Sequence, residues 1–193
     1  MVGWTLDGAN YPGAVMDRAN LRQLQATAAI FTEASAQGAW FSGAILDKAD
    51  FSGADLSRAH LDGVSANGAD FSSARLEGAD FEQASLVAAI LERINGDGLS
   101  ARGAVFASSN LTGARLSRAQ LQDSDFNSAN LSGADLTGSD LSGASFLDAR
   151  LAGTDFSDAQ GLASADFTGA CASEATQLPA MLILPDCPVA SSG

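Results

Sequence analysis

From Phe106 to Phe156 a large apolar side chain returns at every fifth residue: Phe106, Leu111, Leu116, Leu121, Phe126 and onward through Leu151 to Phe156. Two places before each stands a small residue, as in Ala104, Ser109, Ala114 and Ala119, and Asn or Asp often fills the place between. The register holds from the start of the chain. Central places from Leu6 to Phe156 number 31, of which 26 hold Leu, Phe, Tyr or Met, and 22 of the 31 small places from Trp4 to Thr154 are Ala. A period of five fits neither common element. On an α-helix, five steps of about 100° leave a shift of roughly 140°, so the Leu/Phe series would spiral around the axis. A flat strand needs a period of two. The pattern therefore predicts a chain that bends once per repeat, with the large residue and its small companion inward and three residues facing water. Bends stacked on bends bury a continuous core.

The residues of SANLSGADLTGSDLSGASF, like most of the chain from about residue 4 to 170, resemble the pentapeptide-repeat family, whose motif reads roughly A-[D/N]-[L/F]-x-x. The resemblance implies an all-β fold, a right-handed quadrilateral β-helix in which four pentapeptides make one square coil. On that fold the 31 repeats give nearly eight coils. Gly fills 15 of the 31 places two after the central residue, where a bend favours a residue without Cβ. A coil of 20 residues sets Phe31, Phe51 and Phe71 one above another, and likewise Phe106, Phe126 and Phe146, which predicts two internal aromatic stacks.

Two stretches depart from the pattern. In residues 90–106, Ile94 and Leu99 take the small place while Gly96 and Ala101 take the large one. Either large and small have exchanged with core volume kept, or Asn95-Gly96-Asp97-Gly98 forms a turn that bulges outward. After Phe156 the register slips by one, through Gly161 and Leu162 to Phe167. The chain then divides into a repeat domain, 1–170, and a C-terminal capping segment and tail, 171–193. An apolar cluster there, Leu178, Met181, Leu182 and Ile183, is expected to cover the last coil, since a solenoid needs a cap.

Composition adds bounds. The chain opens with no charged segment leading into an apolar one, and no apolar run approaches ~18 residues, so a soluble cytoplasmic protein is expected, with no membrane partner. Cys171 and Cys187 are the only cysteines, and without an export signal reduced thiols are expected rather than a clasp on the cap. His60 is the only histidine; its neighbours one coil away would be Trp40 and Asp80, a row that reads as surface. The rows Asp50/Asp70 and Asp135/Asp155 read as solvated carboxylates rather than as a cation site. No serine has a base. No catalytic residue, cofactor or metal site is expected, and the chain reads as a non-catalytic protein-binding or structural module.

The net charge of −13 excludes a basic nucleic-acid stripe, and direct nucleic-acid binding is not expected. Some members of the resembling family mimic DNA in the groove of type II topoisomerases and confer quinolone resistance, which makes DNA gyrase a candidate partner and DNA mimicry the alternative reading. Eight coils at ~4.8 Å make a rod of roughly 38 Å. B-DNA of that length carries about 22 charges. This chain has about half, spread almost evenly over four faces. Outward apolar residues are few, and Val87, Ile90 and Val105 lie close together on the folded coil. They are the expected contact for a protein partner or a second copy in a homodimer.

Overall fold

A computed structural model describes residues 3–179 and 182–188. Every fifth residue pairs in parallel with the residue twenty positions on, so Thr5 meets Gln25, Asn10 meets Ile30, Val15 meets Ser35 and Asn20 meets Trp40. The four ladders begun by Thr5, Asn10, Val15 and Asn20 run on coil after coil, and they are the four sides of a β-helix. Among the described residues there is no helix.

Each bend has one local form. The carbonyl of the central residue accepts the N–H of the residue three on, as in Phe51 O to Ala54 N at 3.0 Å. The residue between, two after the centre, has φ near +60° in every repeat from Gly8 to Asp158. A positive φ at that one position is the signature of a type II turn, which suits Tyr11-Pro12-Gly13 with Pro and Gly in their favoured places. Sixteen of these positions hold a residue other than Gly. Each carries left-handed strain of roughly 1 kcal/mol that only Gly escapes. Gly43→Ala should therefore lower stability by about 1 kcal/mol, because a Cβ there meets nothing within 4 Å and strain is the sole change. Ala88→Gly, at φ 55°, should raise it by somewhat less. Chemical denaturation of both variants checks the pair, and two unchanged midpoints would show the bend to be unstrained.

The core is a column of side chains. Phe31 stacks on Phe51 at 5.0 Å and Phe51 on Phe71 at 5.5 Å; Phe106, Phe126 and Phe146 follow at 4.9 and 5.0 Å. Both expected stacks are present, and Phe51 and Phe126 are fully buried. The second stack continues to Phe167, 5.0 Å from Phe146, although Phe167 stands 21 residues on. Rings also meet edge to face between neighbouring sides, as Phe41 does with Phe51.

The irregular stretch at 90–106 stays in the ladders. Asn95 pairs with Arg75 and Arg115, and Gly96 N donates to Arg115 O at 2.8 Å. Ile94 and Leu99 are buried beside Gly96 and Ala101, so the exchange of large and small is real and no bulge forms. Leu24 with Ala26 and Val64 with Ala66 make the same exchange, all four buried.

The register slip is also a structural fact. Asp140 pairs with Gln160, but Ser145 pairs with Asp166, so one extra residue is absorbed between them. Gly161 permits this, with φ +77° and its Cα so close to Ser142 that a Cβ would strike that backbone. Beyond it the chain returns across the last coil. Leu178, Leu182 and Leu184 are partly buried against the core. Ile183, expected among the covering residues, instead stands 91% exposed, and Leu184 packs in its stead. Met181 lies outside the described residues. The cysteines correct a second expectation. Ala172 pairs with Asp186, which brings the adjoining Cys171 and Cys187 to a Cα separation of 4.7 Å, and they form a disulfide rather than two free thiols.

Candidate functional site

The surface is decided by where five backbone N–H groups per repeat find acceptors, since an unpaired buried donor is costly. The repeat at Phe51 shows the arrangement. Phe51 N donates to Asp70 O, Gly53 N to Ser72 O, Ala54 N to Phe51 O and Asp55 N to Ala34 O, at 2.7 to 3.0 Å. The fifth donor, Ser52 N, has no carbonyl and is taken by Asp50 Oδ1 at 2.9 Å. Asp70, Asp125, Asn130, Asp135 and Asp155 do the same for the residue two on. A second solution draws the acceptor from the coil before: Asp47 Oδ1 takes Asn67 N at 2.9 Å, and Asn67 Oδ1 takes Val87 N at 3.1 Å. The Asn/Asp place of the motif is therefore a backbone acceptor, and the paired rows Asp50/Asp70 and Asp135/Asp155 are structural.

Val87, Ile90 and Val105 occupy such acceptor places with side chains that accept nothing. Ile90 stands two before Glu92, Val105 two before Ala107, and Val87 one coil before Ala107. Glu92 N and Ala107 N have no protein acceptor among the described hydrogen bonds. Val87 is 37% and Ile90 39% exposed, and Val105 is half-buried. Val87 and Ile90 share one coil, and Val105 follows on the next in the ladder of Ser85. Beside them Arg93 pairs with Glu92 at 2.8 Å. Ile30, Ile45 and Leu147 are outward apolar residues of the same kind.

Elsewhere the polar side chains are occupied with one another. Burial alone would raise the Asp55 carboxyl, but hydrogen bonds from Ser57 Oγ and N and the charge of Arg75 hold it below its ordinary value. Asp140 is lowered by Ser142 Oγ and N, against a smaller opposing effect of burial. Asp166 is lowered by Thr168 in the same way. Arg75 lies 3.5 Å from Asp55 and 3.7 Å from Glu77, and Arg115 3.0 Å from Asp97. The serines serve the fold: Ser109, Ser124 and Ser139 sit in small core places and donate to the carbonyls of Phe106, Leu121 and Leu136. No nucleophile is held against a base among the described residues.

The row of His60 is more ordered than its sequence implied. Trp40, His60 and Asp80 are successive members of one ladder. The His60 ring stacks on Trp40 with centroids 3.8 Å apart, and the Arg22 guanidinium lies 4.1 Å over the Trp40 ring. Sequence spacing pointed to Trp40 and Asp80 but missed Asp62, which stands two residues after His60 on the same side. The signal was there in the repeat itself, since both places face outward.

The profile of the family described as pentapeptide repeats matches the chain with 8 copies, over residues 13–47, 29–65, 49–87, 67–95, 97–127 and 129–160. No curated protein matches. Among solved structures, the chain is similar to HetL, a pentapeptide repeat protein involved in heterocyst differentiation regulation from the cyanobacterium Nostoc sp. strain PCC 7120. The identity is 29%, over 92% of this chain and 88% of that one, with a TM-score of 0.44. It is similar also to QnrB1, a plasmid-mediated fluoroquinolone resistance protein, at 21% identity over 86% of this chain and 92% of that one, TM-score 0.42. A pentapeptide repeat protein from the Arabidopsis thaliana thylakoid lumen shares 35% identity over 48% of this chain and 65% of its own, TM-score 0.29.

Proposed function

The chain belongs to the pentapeptide-repeat family, and we propose that it is a non-catalytic module that binds a protein through the surface around Val87, Ile90 and Val105. In this reading the coil takes the family's right hand, runs for nearly eight turns, and closes beneath the tail from residue 171. The observation that carries the contact surface is the cluster of outward apolar side chains on two successive coils. Three apolar residues stand where Asn or Asp would satisfy the backbone, and two N–H groups are left open. Covering by a partner removes that apolar area from water at about 25 cal/mol per Å², and partner carbonyls can take the open donors.

Two sets of substitutions separate contact from ordinary surface. Replacing Val87, Ile90 and Val105 together with Ser should leave the fold intact and weaken self-association or partner capture, read by sedimentation and pull-down. Ile90→Asn with Val105→Asn should do more. Each Asn supplies the missing acceptor, so the melting temperature should rise, by about 0.5–1.5 kcal/mol of stability per bond, while association falls. Unchanged oligomeric state and captured partners in both variants would show the patch to be ordinary surface.

Mimicry of DNA toward a type II topoisomerase is the weaker reading. Many of the carboxylates that would stand in for phosphates are turned onto backbone N–H groups, as at Asp50, Asp70, Asp135 and Asp155. A gyrase supercoiling assay with the purified protein tests it directly, and inhibition at stoichiometric protein would reinstate it.

A further inference from the structure

Among the described residues, one group of metal-ligating side chains is brought together. One ligand atom each of His60, Asp62 and Asp80 lies within 4.8 Å of the other two. We propose that these three residues form a binding site for a divalent first-row transition ion, of which Zn²⁺ is the type, joining two successive coils. Imidazole with two carboxylates selects this class, whereas Ca²⁺ and Mg²⁺ prefer oxygen alone. Ligand bonds to Zn²⁺ are about 2.0–2.2 Å, so donors on a tetrahedral ion stand roughly 3.3 Å apart. A spacing of up to 4.8 Å must close by about 1.5 Å for the three donors to share one ion.

Each of the three side chains keeps a donor atom without a protein partner among the described hydrogen bonds. Asp62 Oδ1 accepts Ser42 Oγ at 2.7 Å and Asp80 Oδ1 accepts Glu82 N at 2.9 Å, which orients each carboxylate and leaves its Oδ2 without a protein partner among the described hydrogen bonds. Neither carboxylate is in an ion pair among the described residues, and no protein group bonds the His60 ring nitrogens there. The stack on Trp40 fixes the plane of the imidazole, as an outer partner does for a ligating histidine. Three protein donors leave one tetrahedral position for an exchangeable water. Because Asp80 is on the coil after His60 and Asp62, binding also ties two coils together and favours the folded state.

Trp40 supplies the readout. In EDTA-stripped full-length protein carrying Trp4→Phe, Cu²⁺ should quench Trp40 fluorescence saturably at one ion per chain. Zn²⁺, followed by calorimetry, should bind with the same stoichiometry and raise the melting temperature, while Ca²⁺ and Mg²⁺ at the same concentration should not. His60→Ala should weaken Zn²⁺ at least tenfold. Asp62→Asn and Asp80→Asn, which keep the Trp40 stack, should each weaken it by a similar factor and lose the thermal shift. Absence of saturable binding up to millimolar Zn²⁺, or binding unchanged in all three variants, overturns the site.

Discussion

Phe126→Ala is expected to lower the unfolding free energy by ~3–5 kcal/mol, the usual cost of emptying a buried aromatic site. The ring has no solvent exposure and lies between Phe106 and Phe146, with centroids 4.9 and 5.0 Å away and planes within 5°. A solenoid leaves little room to collapse into the gap, since the coils above and below are held by the parallel ladders on all four sides. Asp125 next door gives a contrast. Its side chain faces outward, and on position alone its loss is close to neutral, under about 0.5 kcal/mol. Its Oδ1 takes Asn127 N at 2.8 Å, however, so Asp125→Ala should cost about 0.5–1.5 kcal/mol. Denaturant unfolding of both variants measures this. A Phe126→Ala protein within about 1 kcal/mol of the parent would show that the stack does not hold the coils.

The second large effect is a failure of additivity at the exchanged pair. Leu99 fills the volume that a central residue would take, and a Cβ built on Gly96 runs into Leu99 Cδ2 with Leu116 Cδ2 3.1 Å away. Leu99→Ala alone should cost ~2–5 kcal/mol through the cavity it leaves. Gly96→Leu alone should cost ~1–3 kcal/mol or more by overpacking. Made together they move the large side chain from 99 to 96 within the same shared volume, and the double variant should come within about 1 kcal/mol of the parent. The coupling energy is then at least about 2 kcal/mol, at the upper end for residues in contact. Simple addition of the two losses would mean that Leu99 and Gly96 do not share one site in the core.

That pair also shows how far the chain could be read without coordinates. The exchange of Ile94 and Leu99 for small residues was visible as letters, and volume kept was one of two open readings; only the packing chose it over a bulge. The contact surface was legible as the outward apolar residues Val87, Ile90 and Val105. The acceptor role of the places they occupy was hidden, because it depends on which N–H groups the coil leaves without a carbonyl. The covering residues were legible in part: Leu178 and Leu182 pack down, while Ile183 turns outward. No period remains in that segment to say which side chains face in.

By itself the sequence determined the coil. A pair of inward residues every five, kept for 31 repeats, calls for a chain that bends once per repeat, and the structure meets it with one positive φ at each bend. Such information is local, so it survives being read along a line. The tertiary structure alone decided what depends on contacts between one coil and the next or across the tail. These are the use of Asn and Asp as acceptors between coils, the meeting of Asp62 and Asp80 at His60, and the pairing of Ala172 with Asp186 that brings Cys171 to Cys187. Each of these turns on distances and directions of a few ångströms between side chains, which spacing along the chain does not record.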